Sequence, residues 1–261
     1  MKKRGTARFL VLLLMVALLA APFVAGCGEK SVTITSGVVT MGSDTAYPPF
    51  ESMEGSKAVG FDVDVAEAIA KKLDLKLEVI PTAWDGIIPG LKAKKYDIIM
   101  SAMTITPERE KQINFSTPYI DSDQSLAVVK GSSIKGEADL KDKIVGVQLD
   151  TTGQFKAEEI QPTVGIKEIQ KFDTILLAFE ALEQGKVDAI INDYPVNQYI
   201  STLRGKTEVV TKIKTDEKYG IGVSKENSAL LEKINTALAD VKADGTYEEI
   251  YMKWFGVSPP S

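Results

Sequence analysis

Alternation is the feature that most constrains this chain. From Val38 onwards, short apolar runs and amphipathic stretches take turns, and the apolar runs end in small polar or charged residues. Val38 to Gly42 reads as a short strand. Asp62 to Leu73 places Val63, Ala66, Ile69, Ala70 and Leu73 on one helical face. Leu75 to Ile80 alternates like a strand, Asp85 is suited to capping a helix with Ile87, Ile88 and Leu91, and Tyr96 to Met103 reads as a buried strand. The second half repeats the style. Ile144 to Gln148, Gly165 to Phe172 and Val187 to Ile191 read as strands. Asp173 is placed to cap a helix that stops at Gly185, Pro195 opens another, and Ala229 to Ala243 and Thr246 to Phe255 are amphipathic. Such alternation predicts an α/β fold with mostly parallel sheets.

The N-terminus is of another kind. Lys2, Lys3, Arg4 and Arg8 precede an uncharged, mostly apolar run from Phe9 to Val24, shorter than the roughly 20 residues a membrane span needs. Val24-Ala25-Gly26-Cys27 follows and resembles the lipobox of bacterial lipoproteins. The resemblance implies a signal peptide over 1–26, lipid on Cys27, a tether over 27–37, and a protein anchored to a membrane outside the cytoplasm. Cys27 is the single cysteine, so no intramolecular disulfide is available. The whole chain carries −5, and removing a leader with four cations and no acid leaves −9, which disfavours nucleic acid. No histidine is present, which removes Ser–His and Cys–His catalysis and the commonest metal ligand. No acidic motif resembles a calcium loop, so neither cofactor nor metal is expected.

The polar residues at strand ends carry the chemistry. Residues 101 to 109 read SAMTITPER, where Thr106 suits a helix N-cap and Pro107 the first helical position. A strand end feeding a helix start exposes backbone amides to an anion, and Arg109 adds a planar fork that fits a carboxylate. From spacing alone, Arg109 is equally suited to pairing with Glu108, Glu110 or Glu51 on the surface. Asp44 and Tyr47 follow the first strand, Trp84 precedes the Asp85 helix, Thr151, Thr152 and Gly153 follow the Ile144 strand, and Asp193 ends the Val187 strand. Each alone is explained by a turn, a cap or packing, but together they mark the carboxyl ends of strands, where open α/β sheets bind ligands. A faint echo, LKAKKYDIIMSA over 91–102 and LEQGKVDAIIND over 182–193, puts Ser101–Ala102 and Asn192–Asp193 in equivalent places.

GSDTAYPPFE, VGFDVDVAEAIAKKL, WDGIIPGLKAKKYDIIMSAMTITPERE, INFSTPY, VGVQLDTTGQ and ADGTYEEIYMKWFG span essentially the whole mature chain. With these motifs it resembles the polar amino acid-binding proteins of bacterial ABC importers. The resemblance implies a two-lobe, periplasmic-binding-protein-like (type II) fold with two hinge strands and a ligand cleft between the lobes. Lobe 1 would be 32–122 plus 219–261, and lobe 2 would be 123–218. It implies that Arg109 holds the α-carboxylate with the amides of Thr104 and Thr152, and that Asp193 holds the α-ammonium with the Ser101 carbonyl and the Thr104 hydroxyl. Thr151 belongs to the same turn as Thr152, Tyr47 and Trp84 would pack on the ligand side chain, and Asp44 would reach its far end. Ala102 stands where many relatives have serine or glycine, so only its backbone contributes. A lone amino acid, an ABC permease and a lipid anchor are the implied partners of a monomer.

Asp44 with two aromatic residues favours a flat cation, and so arginine before lysine, ornithine or histidine. Gln148 leaves glutamine as the second choice, because a glutamine there suits either a guanidinium or an amide. Two other functions compete. A cyclohexadienyl dehydratase-like enzyme needs a general acid in the cleft, and the cleft positions offer none beyond Asp44. A receptor-associated sensor needs membrane helices and an output domain, which the sequence does not carry.

Overall fold

The computed structural model describes residues 32–260. The expected signal peptide over 1–26, Cys27 and the first part of the 27–37 tether lie outside the described residues. Residues 32–37 are held to the body: the Ile34 amide donates to Asp97 Oδ1 at 2.7 Å, and Asn227 Nδ2 donates to the Val32 carbonyl at 2.8 Å.

The chain begins with β1 (Val38–Ser43) and a small antiparallel sheet of β2 (Ala46–Tyr47), β3 (Glu51–Glu54) and β4 (Lys57–Val59). Helix α1 (Phe61–Lys72), β5 (Lys76–Pro81), α2 (Trp84–Lys92), β6 (Ile98–Ile99), α3 (Pro107–Glu110) and β7 (Asn114–Phe115) follow. Then come β8 (Ile120–Val129), β9 (Ile144–Gln148), α4 (Thr152–Val164), β10 (Glu168–Phe172), α5 (Ile175–Glu183), β11 (Ala189–Asp193) and α6 (Tyr194–Arg204). The last elements are β12 (Thr207–Tyr219), β13 (Gly222–Val223), α7 (Ser228–Ala243) and α8 (Thr246–Phe255).

Two five-stranded sheets result, ordered β5-β1-β6-β13-β7 and β10-β9-β11-β8-β12. Each is mixed rather than mostly parallel. β13 runs antiparallel to β6 and β7 in the first sheet, and β8 runs antiparallel to β11 and β12 in the second. The chain crosses between the sheets twice, from β7 into β8 and from β12 into β13. The crossing strands pair with each other, Ile120 opposite Tyr219 and Ser122 opposite Glu217, with a shift in register between Ile213 and Glu217. This is the two-lobe arrangement with a double connection.

The apolar faces account for the layering. Phe61, Val65, Ala66 and Ile69 of α1 share one core with Leu230, Ile234 and Leu238 of α7, while Ile87 and Leu91 of α2 pack with Tyr96, Ile99 and Met103. In the second sheet, Ala157 and Ile160 of α4 cover Val145, Val147 and Ile191.

Several expected boundaries move. Tyr96 to Met103 is buried throughout, but only Ile98–Ile99 is strand, because the chain turns at Ala102, whose φ is +46°. Asp85 and Asp173 cap nothing: α2 starts at Trp84, and α5 is capped by Thr174, whose side chain accepts from the Leu177 amide. Thr106 and Thr151 do cap helices, accepting from the amides of Arg109 and Gln154.

Candidate functional site

The carboxyl ends of β1 and β6 in the first sheet face those of β9 and β11 in the second. Ten residues line the cavity between them: Tyr47, Trp84, Ser101, Ala102, Thr104, Arg109, Gln148, Thr151, Thr152 and Asp193. All ten are among the eleven expected from sequence. The eleventh, Asp44, is buried one step behind and accepts from Gln148 Nε2 at 2.8 Å. The cavity offers about 10 Å³ in this conformation, which is room for about one water molecule. An amino acid therefore enters only when the sheets part. A larger groove of about 650 Å³ runs beside the crossing strands, lined by Tyr194, Tyr199, Tyr251 and Trp254 among others. The opposite charges of Arg109 and Asp193 do not converge there.

Arg109 is only 7 % exposed and makes no ion pair with Glu108, Glu110 or Glu51, so the surface-pairing reading is set aside. It reaches inward from α3. Nη1 donates to the Thr104 carbonyl at 2.8 Å and Nη2 to the Asp150 carbonyl at 3.3 Å. Its guanidinium carbon stands 5.0 Å from the centroid of the Trp84 ring, and Trp84 Nε1 donates to the same Asp150 carbonyl at 3.0 Å. Trp84 thus backs the guanidinium by a cation–π contact. Burial lowers the Arg109 pKa, while Asp193 and Glu217 oppose that shift.

Asp193 ends β11 and accepts from three donors. Tyr47 Oη donates to Oδ2 at 2.8 Å, Tyr219 Oη also donates to Oδ2, and Gln124 Nε2 donates to Oδ1 at 2.5 Å. Burial first, and the nearby Glu217 carboxylate second, push its pKa up to about 7. Asp44 is raised to about 6, chiefly by burial, against the lowering bond from Gln148. Gln148 Oε1 is buried and has no hydrogen-bond partner.

Glu217 was not anticipated. It sits on β12 at the crossing and gathers hydroxyls from both sides: Thr104 Oγ1 at 2.7 Å and Thr152 Oγ1 at 2.8 Å donate to Oε2, and Gln124 Nε2 donates to Oε1 at 3.0 Å. Thr104 is further pinned by a β-bridge to Tyr219. Glu217 is half-buried, whereas two further acids beside the Ser101 turn, Glu51 and Asp62, are fully buried. None of these three acids lines the cavity itself, where Asp193 is the one carboxylate among the lining residues. The signal for Glu217 was its place two residues before Tyr219 on a crossing strand, which local pattern does not reveal. Among the described residues, no cluster of side chains suits a metal ion, and no helix is long and apolar enough to cross a membrane.

A cavity between two α/β lobes, with a cation from one and an anion from the other, defines a two-lobe binding protein for small charged solutes. The chain belongs to the bacterial extracellular solute-binding proteins, family 3, whose pattern matches residues 39–257. It is 38 % identical over 251 residues to ABC transporter arginine-binding protein 1 of Escherichia coli (strain K12), covering 93 % of this chain and 98 % of the relative. Two solved structures of an ancestral arginine-binding protein are each 44 % identical to it. The one bound to arginine has a TM-score of 0.81 and covers 84 % of this chain and 99 % of that one. The one bound to glutamine has a TM-score of 0.80 and covers 85 % and 100 %.

Proposed function

We propose that the protein binds a polar α-amino acid, arginine foremost, outside the cytoplasm and delivers it to the permease of an ABC importer. It acts as a monomeric binding protein, not an enzyme, anchored to the membrane through lipid on Cys27. The observation that carries this is the convergence of Arg109 and Asp193, from the ends of two different sheets, on one cavity. A zwitterion places opposite charges one carbon apart, and neither side of the cavity alone satisfies both. The ligand therefore favours the closed arrangement by its differential contacts. In this reading lobe 1 is 32–122 plus 219–261 and lobe 2 is 123–218, a division that falls where β8 and β12 cross.

Arg109 takes the α-carboxylate, with the amides of Thr104 and Thr152. Asp193 takes the α-ammonium, with the Ser101 carbonyl and the Thr104 hydroxyl, which donates to Glu217 and so turns its lone pairs to the ammonium. The side chain runs past Tyr47 and Trp84 towards Gln148 and Asp44. An ionised Asp44 and the unpartnered Gln148 Oε1 are both acceptors, which suits the several donors of a guanidinium. Glutamine is the second reading, because a similar arginine-binding protein has been solved with glutamine bound.

A thermal-shift screen of the common amino acids tests the proposal. At one common concentration the tightest ligand stabilises most, by about 2.7 kcal/mol at a hundred times its dissociation constant, so arginine is expected to raise the melting temperature most. Arg109→Ala is expected to abolish the shift with every amino acid. Unchanged shifts in that variant remove the carboxylate assignment, and a stronger response to glutamine than to arginine reverses the choice of ligand.

A further inference from the structure

Glu51 and Asp62 are both 0 % exposed and lie together beneath the strand end that forms one wall of the cavity. Glu51 follows Tyr47 and the two prolines at the start of β3, and Asp62 is in the first turn of α1. The Asp62 amide donates to the Phe50 carbonyl at 3.0 Å, which brings the two carboxyls to one spot. Each carboxyl uses one oxygen to hold the turn. Ser101 Oγ donates to Glu51 Oε1 at 2.6 Å and itself accepts from the Asp44 amide at 2.9 Å. The Ala102 amide donates to Asp62 Oδ2 at 2.7 Å, and Tyr119 Oη donates to the same oxygen at 2.8 Å. The other two oxygens, Glu51 Oε2 and Asp62 Oδ1, are buried and have no hydrogen-bond partner. No cation among the described residues pairs with either acid. The groups facing them are Asp44, Ser101 and the phenols of Tyr119 and Tyr247.

Two buried carboxylates side by side, without a cation, cannot both be charged. One proton between their unpartnered oxygens removes the repulsion and satisfies both atoms. We propose that Glu51 and Asp62 share a single proton, and that the pair is a positioning device for the Ser101–Ala102 turn at the ligand cavity. Glu51 is the acid of the pair and Asp62 the acceptor, because Asp62 already accepts from the Ala102 amide and the Tyr119 phenol, which favour its charged form, whereas Glu51 accepts from Ser101 alone. Burial, then the Asp62 charge, pushes Glu51 well above the usual carboxylate range, and burial pushes Asp62 up to about 7. The turn needs such a device. Ala102 has φ of +46°, a left-handed conformation that an L residue holds at a cost, and the Asp62 carboxylate clamps its amide there.

The positioning role rests on the amino acid-binding reading, whereas the shared proton is open to test without any ligand. Infrared difference spectra of the purified protein at about pH 8.5, where ordinary carboxyls are ionised, are expected to show a protonated-carboxyl band. Glu51→Gln, whose amide supplies a permanent donor to Asp62, is expected to lose that band. The Ala102 amide resonance is expected to shift as the wild-type pair loses its proton at alkaline pH, and to stop doing so in Glu51→Gln. Absence of the band in the wild type, or its persistence in Glu51→Gln, overturns the shared proton even if the variant folds poorly. An Ala102 resonance indifferent to the titration overturns the positioning role. A band in a protein that binds no amino acid refutes the functional reading and leaves the shared proton standing.

Discussion

Acid is expected to weaken arginine binding more than glutamine binding, and the site gives the size of the difference. Asp44 has a pKa of about 6 and Asp193 of about 7, both raised mainly by burial. A guanidinium needs Asp44 ionised, and any α-ammonium needs Asp193 ionised. Between about pH 7 and pH 5 the ionised share of Asp44 drops about tenfold, or about 1.4 kcal/mol, for a pKa of about 6. Over the same range the ionised share of Asp193 drops about fiftyfold for a pKa of about 7. The second loss falls on every amino acid. The first falls on arginine alone, since a protonated Asp44 still donates to or accepts from an amide. Arginine is therefore expected to lose about five-hundredfold in affinity and glutamine about fiftyfold, so that their ratio falls about tenfold. The sign follows from linkage: ligand binding lowers both pKa values, releases protons, and is opposed by added protons. Titration calorimetry of both ligands at the two pH values, in buffers of different ionisation enthalpy, measures the ratio and the protons released. Asp44→Asn is expected to make the ratio independent of pH. A wild-type ratio constant within twofold refutes the assignment of Asp44 to the ligand side chain.

Two further changes probe the surroundings of the site. Glu217→Gln removes the second largest cause of the raised Asp193 pKa, so the acid loss of binding is expected to move to lower pH, read from the pH midpoint of glutamine affinity. Gly60→Ala is expected to destabilise the fold by roughly 1–3 kcal/mol or more in urea unfolding. A Cβ there would meet the Phe50 carbonyl at 2.0 Å, and φ is +149°. That close approach is also what sets Glu51 beside Asp62.

What was legible in the sequence follows from range. Thr106 with Pro107, and Thr151 before Thr152, signal helix starts within four residues, and both are used. Because Thr151 closely follows β9, and Thr106 closes the segment that leaves β6 through Ser101 and Thr104, the cavity wall was legible with them. The crossing strands were not found by periodicity. β8 buries Ser122, Gln124 and Ser125 and keeps its apolar run to Leu126–Val129, and β12 carries Thr, Lys and Glu along most of its length, so neither shows an apolar run where the two cross. Their polar residues are there for the site: Gln124 and Glu217 hold Asp193, Thr104 and Thr152. The same function that makes these strands informative hides them from hydrophobic patterning. Glu51 and Asp62 stay hidden for another reason. An isolated acid in a sequence reads as solvated, and only the fold shows that these two are wholly buried together.

The bonds already present in the cavity bear on which ligand gains most. Arg109 is held by two carbonyls, Asp44 by the Gln148 amide, and Asp193 by two phenols and an amide. An entering amino acid replaces some of these bonds, so its gain is a difference and not a sum. Exchanging a neutral partner for another neutral one gains little. Exchanging it for an opposite charge gains more, because hydrogen bonds between ions are about twice as strong as neutral ones. The α-carboxylate makes that exchange at Arg109 and the α-ammonium makes it at Asp193, whatever the side chain. At Asp44 only a cationic side chain makes it, since glutamine would substitute one amide for another. The head-group contacts thus select for amino acids as a class, and the exchange at Asp44 is where arginine parts from glutamine.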